Sequence, residues 1–142
     1  MINFLPGIQS TSSALAAERV RLDVISQNIA NANTTRGADG KPYQRQQVVF
    51  ETILNQYQGQ SGAESPQMVK VAKIAPDTRA PRFVYQPGHP DANAAGMVAM
   101  PDINIHEEMA DMIAASRTFE ANLAVVKNAR QMAMQTLSIG KR

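Results

Sequence analysis

Cysteine and tryptophan are absent from this 142-residue chain, and aromatic residues make up only 5% of it. The missing thiols exclude disulfides, thiolate metal sites and cysteine nucleophiles together, and leave the redox compartment open. No run approaches the roughly 20 apolar residues of a membrane span. The opening MINFLPGIQSTSSALAAERVR has no charged region ahead of a continuous apolar core, so the chain reads as neither Sec-secreted nor membrane-inserted. An excess of one charge is missing too. Lysine plus arginine number 14 against 12 aspartate plus glutamate, spread as 3 against 3 through residue 40, 6 against 4 through 101, and 5 against 5 beyond. Nucleic-acid binding through bulk charge is therefore not expected.

Enzyme chemistry also lacks its parts. His106-Glu107-Glu108 begins like a zinc-protease HExxH, but the second histidine would fall at Ala110. With His89 as the only other histidine, no metal-ligating or nucleophilic constellation assembles, and Gly37 and Gly40 match no phosphate-binding fingerprint. Asn33-Thr34-Thr35 fits the N-glycosylation triplet, a pattern short enough to arise by chance. No catalytic residue, metal, cofactor or small-molecule substrate is expected. Glu107, Glu108 and Asp111 read as a solvated acidic cluster favoured by the positive end of a helix dipole.

What the chain does contain is helical periodicity at both ends. Ile8, Leu15, Leu22 and Ile29 recur every seven residues, with Ile25 beside the stripe. The spacing predicts a helix over 8–31, roughly 36 Å long, starting near Pro6-Gly7. Near the other end, Ile105, Met109, Met112, Ser116, Phe119, Leu123, Val126, Arg130, Ala133 and Leu137 follow an alternating four-three spacing. Asn104 with Glu107 gives a capping-box-like start and Gly140 a stop, so a helix over 105–138, roughly 50 Å, is expected. Off-seam residues Ile113, Val125 and Met134 put apolar surface on a second side. The N-terminal seam covers only about two thirds of the C-terminal helix. Two readings stay open: a hairpin that completes its own core, or an exposed apolar length awaiting a partner.

Between the helices, 43–50, 68–74, 82–86 and 96–100 read as short strands, with loops at 58–67 and 86–96. Asp39-Gly40 supplies a turn, and Lys41 before Pro42 stops any helix. The expected fold is mainly α with a small β part. Long N- and C-terminal helices pair as a coiled-coil-like hairpin, and a short antiparallel hairpin or sheet with loops lies between them. The division is 1–36, 37–101 and 102–142.

At the end of the first helix stands NIANANTTRG, 28–37, unusually rich in short polar side chains. Asn28 and Asn31 lie one turn apart, and their carboxamides can satisfy helix-end carbonyls or fix the register of an otherwise slippery seam. For Asn33, Thr34 and Thr35, local capping and turn formation is the leading expectation.

ALAAERVRLDVISQNIANANTTR at 14–36 resembles the N-terminal motif of flagellar basal-body rod and hook proteins, and GADGKPYQRQQVVFE resembles the proximal-rod branch of that family. FVYQPGHPDANAAGMVAMPDINIHEEMADMIAASRTFEANLAVVKNARQMAMQTLSIGK is similar to the family's C-terminal half; residues 51–80 carry no distinctive match. The resemblance implies a structural, non-enzymatic subunit that stacks helically with copies of itself and other proximal-rod proteins, between MS-ring and distal-rod neighbours, and carries torque to hook and filament. It also implies export through the flagellar type III apparatus without a cleaved signal peptide, and residence in the periplasm-spanning basal-body rod. The expected subunit-interface residues are Ile8, Leu15, Leu22, Ile25, Asn28, Ile29 and Asn31, with Ile105, Met109, Met112, Phe119, Leu123, Val126 and Leu137. The alternatives are a self-contained helical-bundle export adaptor or chaperone and, further off, a small soluble enzyme.

Overall fold

In the computed structural model, which describes residues 5–54 and 67–140, the expected order of elements is present. Helix α1 spans Leu5–Ala30, strands β1 Gln46–Leu54, β2 Gln67–Pro76, β3 Arg82–Tyr85 and β4 Met97–Met100 follow, and helix α2 spans Ile105–Ile139. At 1.5 Å per residue the helices are about 39 and 52 Å long. Helix α1 begins three residues earlier than the spacing predicts. Pro6 is accommodated because a first-turn residue needs no N–H partner. The loop expected at 58–67 lies outside the described residues except for Gln67, which opens β2.

Helix α2 starts as its sequence dictates. Asn104 Oδ1 accepts from the His106 backbone N–H at 3.1 Å, and Asn104 Nδ2 donates to Glu107 Oε1 at 3.0 Å. At the far end Gly140 keeps a right-handed backbone (φ −73°) and its N–H reaches Thr136 O at 3.2 Å. The helix therefore ends without a left-handed cap.

The strands form two separate two-stranded antiparallel sheets, β1–β2 and β3–β4. In the first, Val49 faces Lys73 while Phe50 faces Val71, so Ala72 is an extra residue in a bulge that bends β2. In the second, Gly96 carries the return into β4 at φ +73°. That backbone angle calls for glycine, and an added Cβ would also press on the exposed Tyr85 ring at 2.9 Å and on Pro87 Cβ at 3.2 Å.

Helix α1 packs against α2 and against both strands of the first sheet. The last turn of α1 meets the first turn of α2 through Asn28 and Glu108, so the helices run antiparallel. The buried apolar core is thin: Ala17, Val24, Ile25, Ala32, Val98, Ile103 and Ala115 among the described residues. Three of these seven are alanine, which brings backbones close but removes little apolar area from water. Two buried polar residues, Asn28 and Glu108, each 1% exposed, sit in the middle of this core.

Candidate functional site: a buried polar joint and an exposed helix face

Asn28 is fully employed. Its Nδ2 donates to Gln46 O at 2.9 Å and to Glu108 Oε2 at 3.1 Å, while its Oδ1 accepts from Gln46 N at 2.9 Å and from the Tyr43 hydroxyl at 3.0 Å. An amide can donate twice and accept twice, and all four capacities are used. Toward Gln46 the carboxamide behaves as a strand backbone would, exchanging both bonds with the first residue of β1. One side chain thereby fixes α1 to β1 and to α2 together.

Glu108 continues the joint. Its Oε1 accepts from Arg45 Nε at 2.6 Å, a charge-assisted bond between a buried carboxylate and a largely covered guanidinium. Arg45 also lies 3.5 Å from Asp77 Oδ2 and 4.0 Å from Asp111 Oδ2. Asp77, just past β2, accepts from Arg79 Nε at 2.8 Å and from Gln47 Nε2 at 2.9 Å, and Arg79 reaches Asp102 at 3.5 Å. The Arg79 hydrogen bond holds the Asp77 carboxyl below the usual aspartate range, and the same bond raises Arg79. Burial, and next the Glu108 charge, push the Tyr43 phenol up. The expectation of a solvated acidic cluster is therefore wrong for Glu108. Glu107 is exposed and Asp111 half-buried, but Glu108 points into the chain because Arg45 and Asn28 are there to meet its charge.

The rest of NIANANTTRG is local structure. Asn31 Nδ2 donates to Gln27 O at 2.9 Å and Asn31 Oδ1 accepts from the Thr34 hydroxyl at 3.1 Å, closing the end of α1. Thr35 reaches further. Its hydroxyl donates to Asp91 Oδ2 at 2.8 Å, and Arg36 stands 3.6 Å from the same carboxylate, which ties the joint to the 86–96 turn. In that turn His89 Nδ1 accepts from the Asp91 N–H at 3.1 Å; His106 is exposed on the first turn of α2.

The seam on α2 is shifted from the expected stripe. The covered positions are Glu108, Met112, Ala115, Phe119, Asn122, Val126, Ala129 and Ala133, again with four-three spacing, flanked by Asp111 and Ser116. Met112, Ser116, Phe119, Val126 and Ala133 belong to both stripes. Ile105, Met109, Leu123 and Leu137 lie one position away and are exposed, Leu123 by 42% and Leu137 by 70%. On α1, Ile25 and Asn28 are buried, while Ile8, Leu15, Leu22, Ile29 and Asn31 are half-buried. The sequence pattern passed over Glu108 and Asn122 because they are polar and chose the apolar neighbours Met109 and Leu123. Within the chain, α1 takes the polar and alanine stripe, and α2 is left with a second, exposed row extended by Ile113, Val125, Met132, Met134 and Ile139. Tyr43, Arg45, Asp77 and Arg79 were missed altogether. The signal that could have found the joint is the seven-residue recurrence of Glu108, Ala115, Asn122 and Ala129, which is small or polar throughout.

Comparison with known proteins bears directly on this two-helix arrangement. Residues 8–38 match the family model described as flagella basal body rod protein, and residues 94–139 match that of the flagellar basal body rod FlgEFG protein C-terminal region. The flagellar basal-body rod protein FlgC of Yersinia enterocolitica is 40% identical over 129 residues, covering 91% of this chain and 92% of its own. FlgC of Bacillus subtilis is 39% identical over 142 residues, covering 92% and 94%. The chain belongs to the FlgC family of flagellar basal-body rod proteins. FlgC of Borreliella burgdorferi, 40% identical over 144 residues, extends the match to a third distant bacterium. The two matched regions contain most of α1 with Asn28 and all of α2 with Glu108, whereas Tyr43, Arg45, Asp77 and Arg79 of the joint lie between them.

Proposed function

We propose that this chain is a structural subunit of the bacterial flagellar basal-body rod, assembling with copies of itself and with other rod proteins, and that it transmits motor torque toward hook and filament. The observation that carries the reading, beyond family membership, is the exposed apolar row on α2. A row of this length on a chain with so thin a core is a packing surface awaiting neighbouring helices. Ile105, Met109, Leu123 and Leu137 are its subunit-facing residues. Ile8, Leu15, Leu22, Ile29, Met112, Phe119 and Val126 support it from the half-buried flank, and Ile25, Asn28 and Asn31 act from within the subunit by setting register. In this reading the chain belongs to the proximal rod, between MS-ring and distal-rod neighbours, and reaches it through the flagellar export apparatus without a cleaved signal peptide. Residues 1–36 and 102–142 form the packing helices and 37–101 the intervening unit. Structural packing, not catalysis, is its work.

The test is genetic. Deletion of the gene is expected to leave cells without hooks or filaments, and a labelled copy to sit at flagellar bases. Normal swimming after a clean deletion would end the rod reading. Leu123→Asp, which places a carboxylate in the proposed contact, is expected to abolish swimming, whereas Glu120→Gln on the same helix leaves it intact.

A further inference from the structure

The Glu108 joint ties the two helices to the first sheet through one buried charge, beside the two hydrogen bonds that Asn28 exchanges with Gln46. Arg45 immediately precedes β1 and Asp77 immediately follows β2, so the two open ends of the hairpin meet at this point, with Asp77 N donating to Arg45 O at 2.7 Å. Arg45 meets Glu108 from the hairpin side, and Asp77 stands behind it at 3.5 Å from the guanidinium. From α1 the joint is faced by Asn28 and, across a cleft of about 370 Å³, by Arg21; from the start of α2, Glu107, Asp111 and the preceding Asp102 stand around it, and Tyr43 closes it. Arg45 is the cation that bonds the buried carboxylate. Elsewhere the hairpin leans on α1 through half-buried apolar residues such as Val69 and Val71, with the Val69 N–H donating to Ser13 Oγ at 3.2 Å.

We propose that Glu108 is a charge-operated latch: its ionised carboxylate docks the β1–β2 hairpin onto the helix pair, and neutralising it releases the hairpin while the helices stay paired. The physical reason is the asymmetry of buried ion pairs. Removing one partner leaves the other charge uncompensated in a low-dielectric site, which costs far more than the intact pair contributes. Without Glu108, Arg45 keeps only the longer contacts to Asp77 and Asp111 at 3.5 and 4.0 Å, and its relaxation toward water pulls on β1, which it precedes. Glu108 is part of α2, whose remaining seam of Met112, Ala115, Phe119 and Val126 holds it to α1 without any charge. A consequence is coupling: displacement of α2 along its axis by neighbouring chains withdraws Glu108 and frees the hairpin.

The absence of cysteine makes a distance measurement simple. Spin labels at Ser26→Cys on α1 and Lys73→Cys on β2, both exposed positions, report the separation of hairpin and helix in the full chain, with far-ultraviolet circular dichroism followed in parallel. The wild type is expected to give one narrow distance distribution at pH 7. Glu108→Gln is expected to be broad at pH 7 with helical signal retained. The double variant Glu108→Leu with Arg45→Met, which replaces the pair by apolar groups, is expected to stay narrow at pH 7. The latch is overturned if Glu108→Gln remains as narrow as wild type, if it loses helix at pH 7, or if the apolar pair is as broad as Glu108→Gln.

Discussion

The two ends of α2 solve opposite problems. Around Glu108 the helix buries a charge, and every polar group near it is met by a partner from another part of the same chain. Beyond Leu123 the helix carries Val125, Met132, Met134, Leu137 and Ile139 into solvent, although nothing in their chemistry prefers water. The polar end is complete within the subunit and the apolar end is not. Such a division suits a subunit of an assembly: directional contacts set the shape of the individual chain, and the non-directional ones are left for its neighbours.

The largest expected effect would sharpen this contrast at the polar end. Glu108→Ala leaves Arg45 and Asn28 without their buried acceptor and is expected to lower the stability of the isolated subunit by about 3–5 kcal/mol, read from the urea midpoint. A loss below about 1 kcal/mol would mean that the joint is solvated after all. Asn31→Ala removes a half-buried helix-end bond and is expected to cost about 1 kcal/mol in the same measurement.

Next comes pH, which should act on the polar end alone. The native Asp77 carboxyl is held below its ordinary value, so its stabilisation is present above the usual aspartate range near about pH 3.9 and is lost as pH falls through the lowered native value. Tyr43 works in the other direction. Its native pKa is raised, so its stabilisation is complete below about pH 10 and is lost as pH rises through the raised value. In urea midpoints measured against pH, Asp77→Asn should flatten the acid limb and Tyr43→Phe the alkaline one. The smallest expected effect lies at the apolar end. Leu137→Asp should change the isolated subunit's stability by no more than about 0.5 kcal/mol, yet stop swimming. A large loss in the isolated chain would break the comparison, since Leu137 would then be packed within it.

Much of this architecture is legible in the residues themselves. The heptad spacings, Asn104 with Glu107, the Lys41-Pro42 stop and the four β-branched runs are local signals, and each depends on neighbours within one or two turns. They locate both helices and all four strands to within a few residues, and the long motifs at the two ends point to the family. What the spacing could not choose was which of two adjacent stripes on α2 meets α1. Met109 and Leu123 look like core and are exposed; Glu108 looks like surface and is buried. That choice rests on Arg45 and Asn28, 63 and 80 positions away in sequence. The sequence alone thus determined the elements, because hydrogen-bonded periodicity is local. Only the tertiary structure decided which face is inside, because a buried charge is tolerated only where the fold delivers its partner.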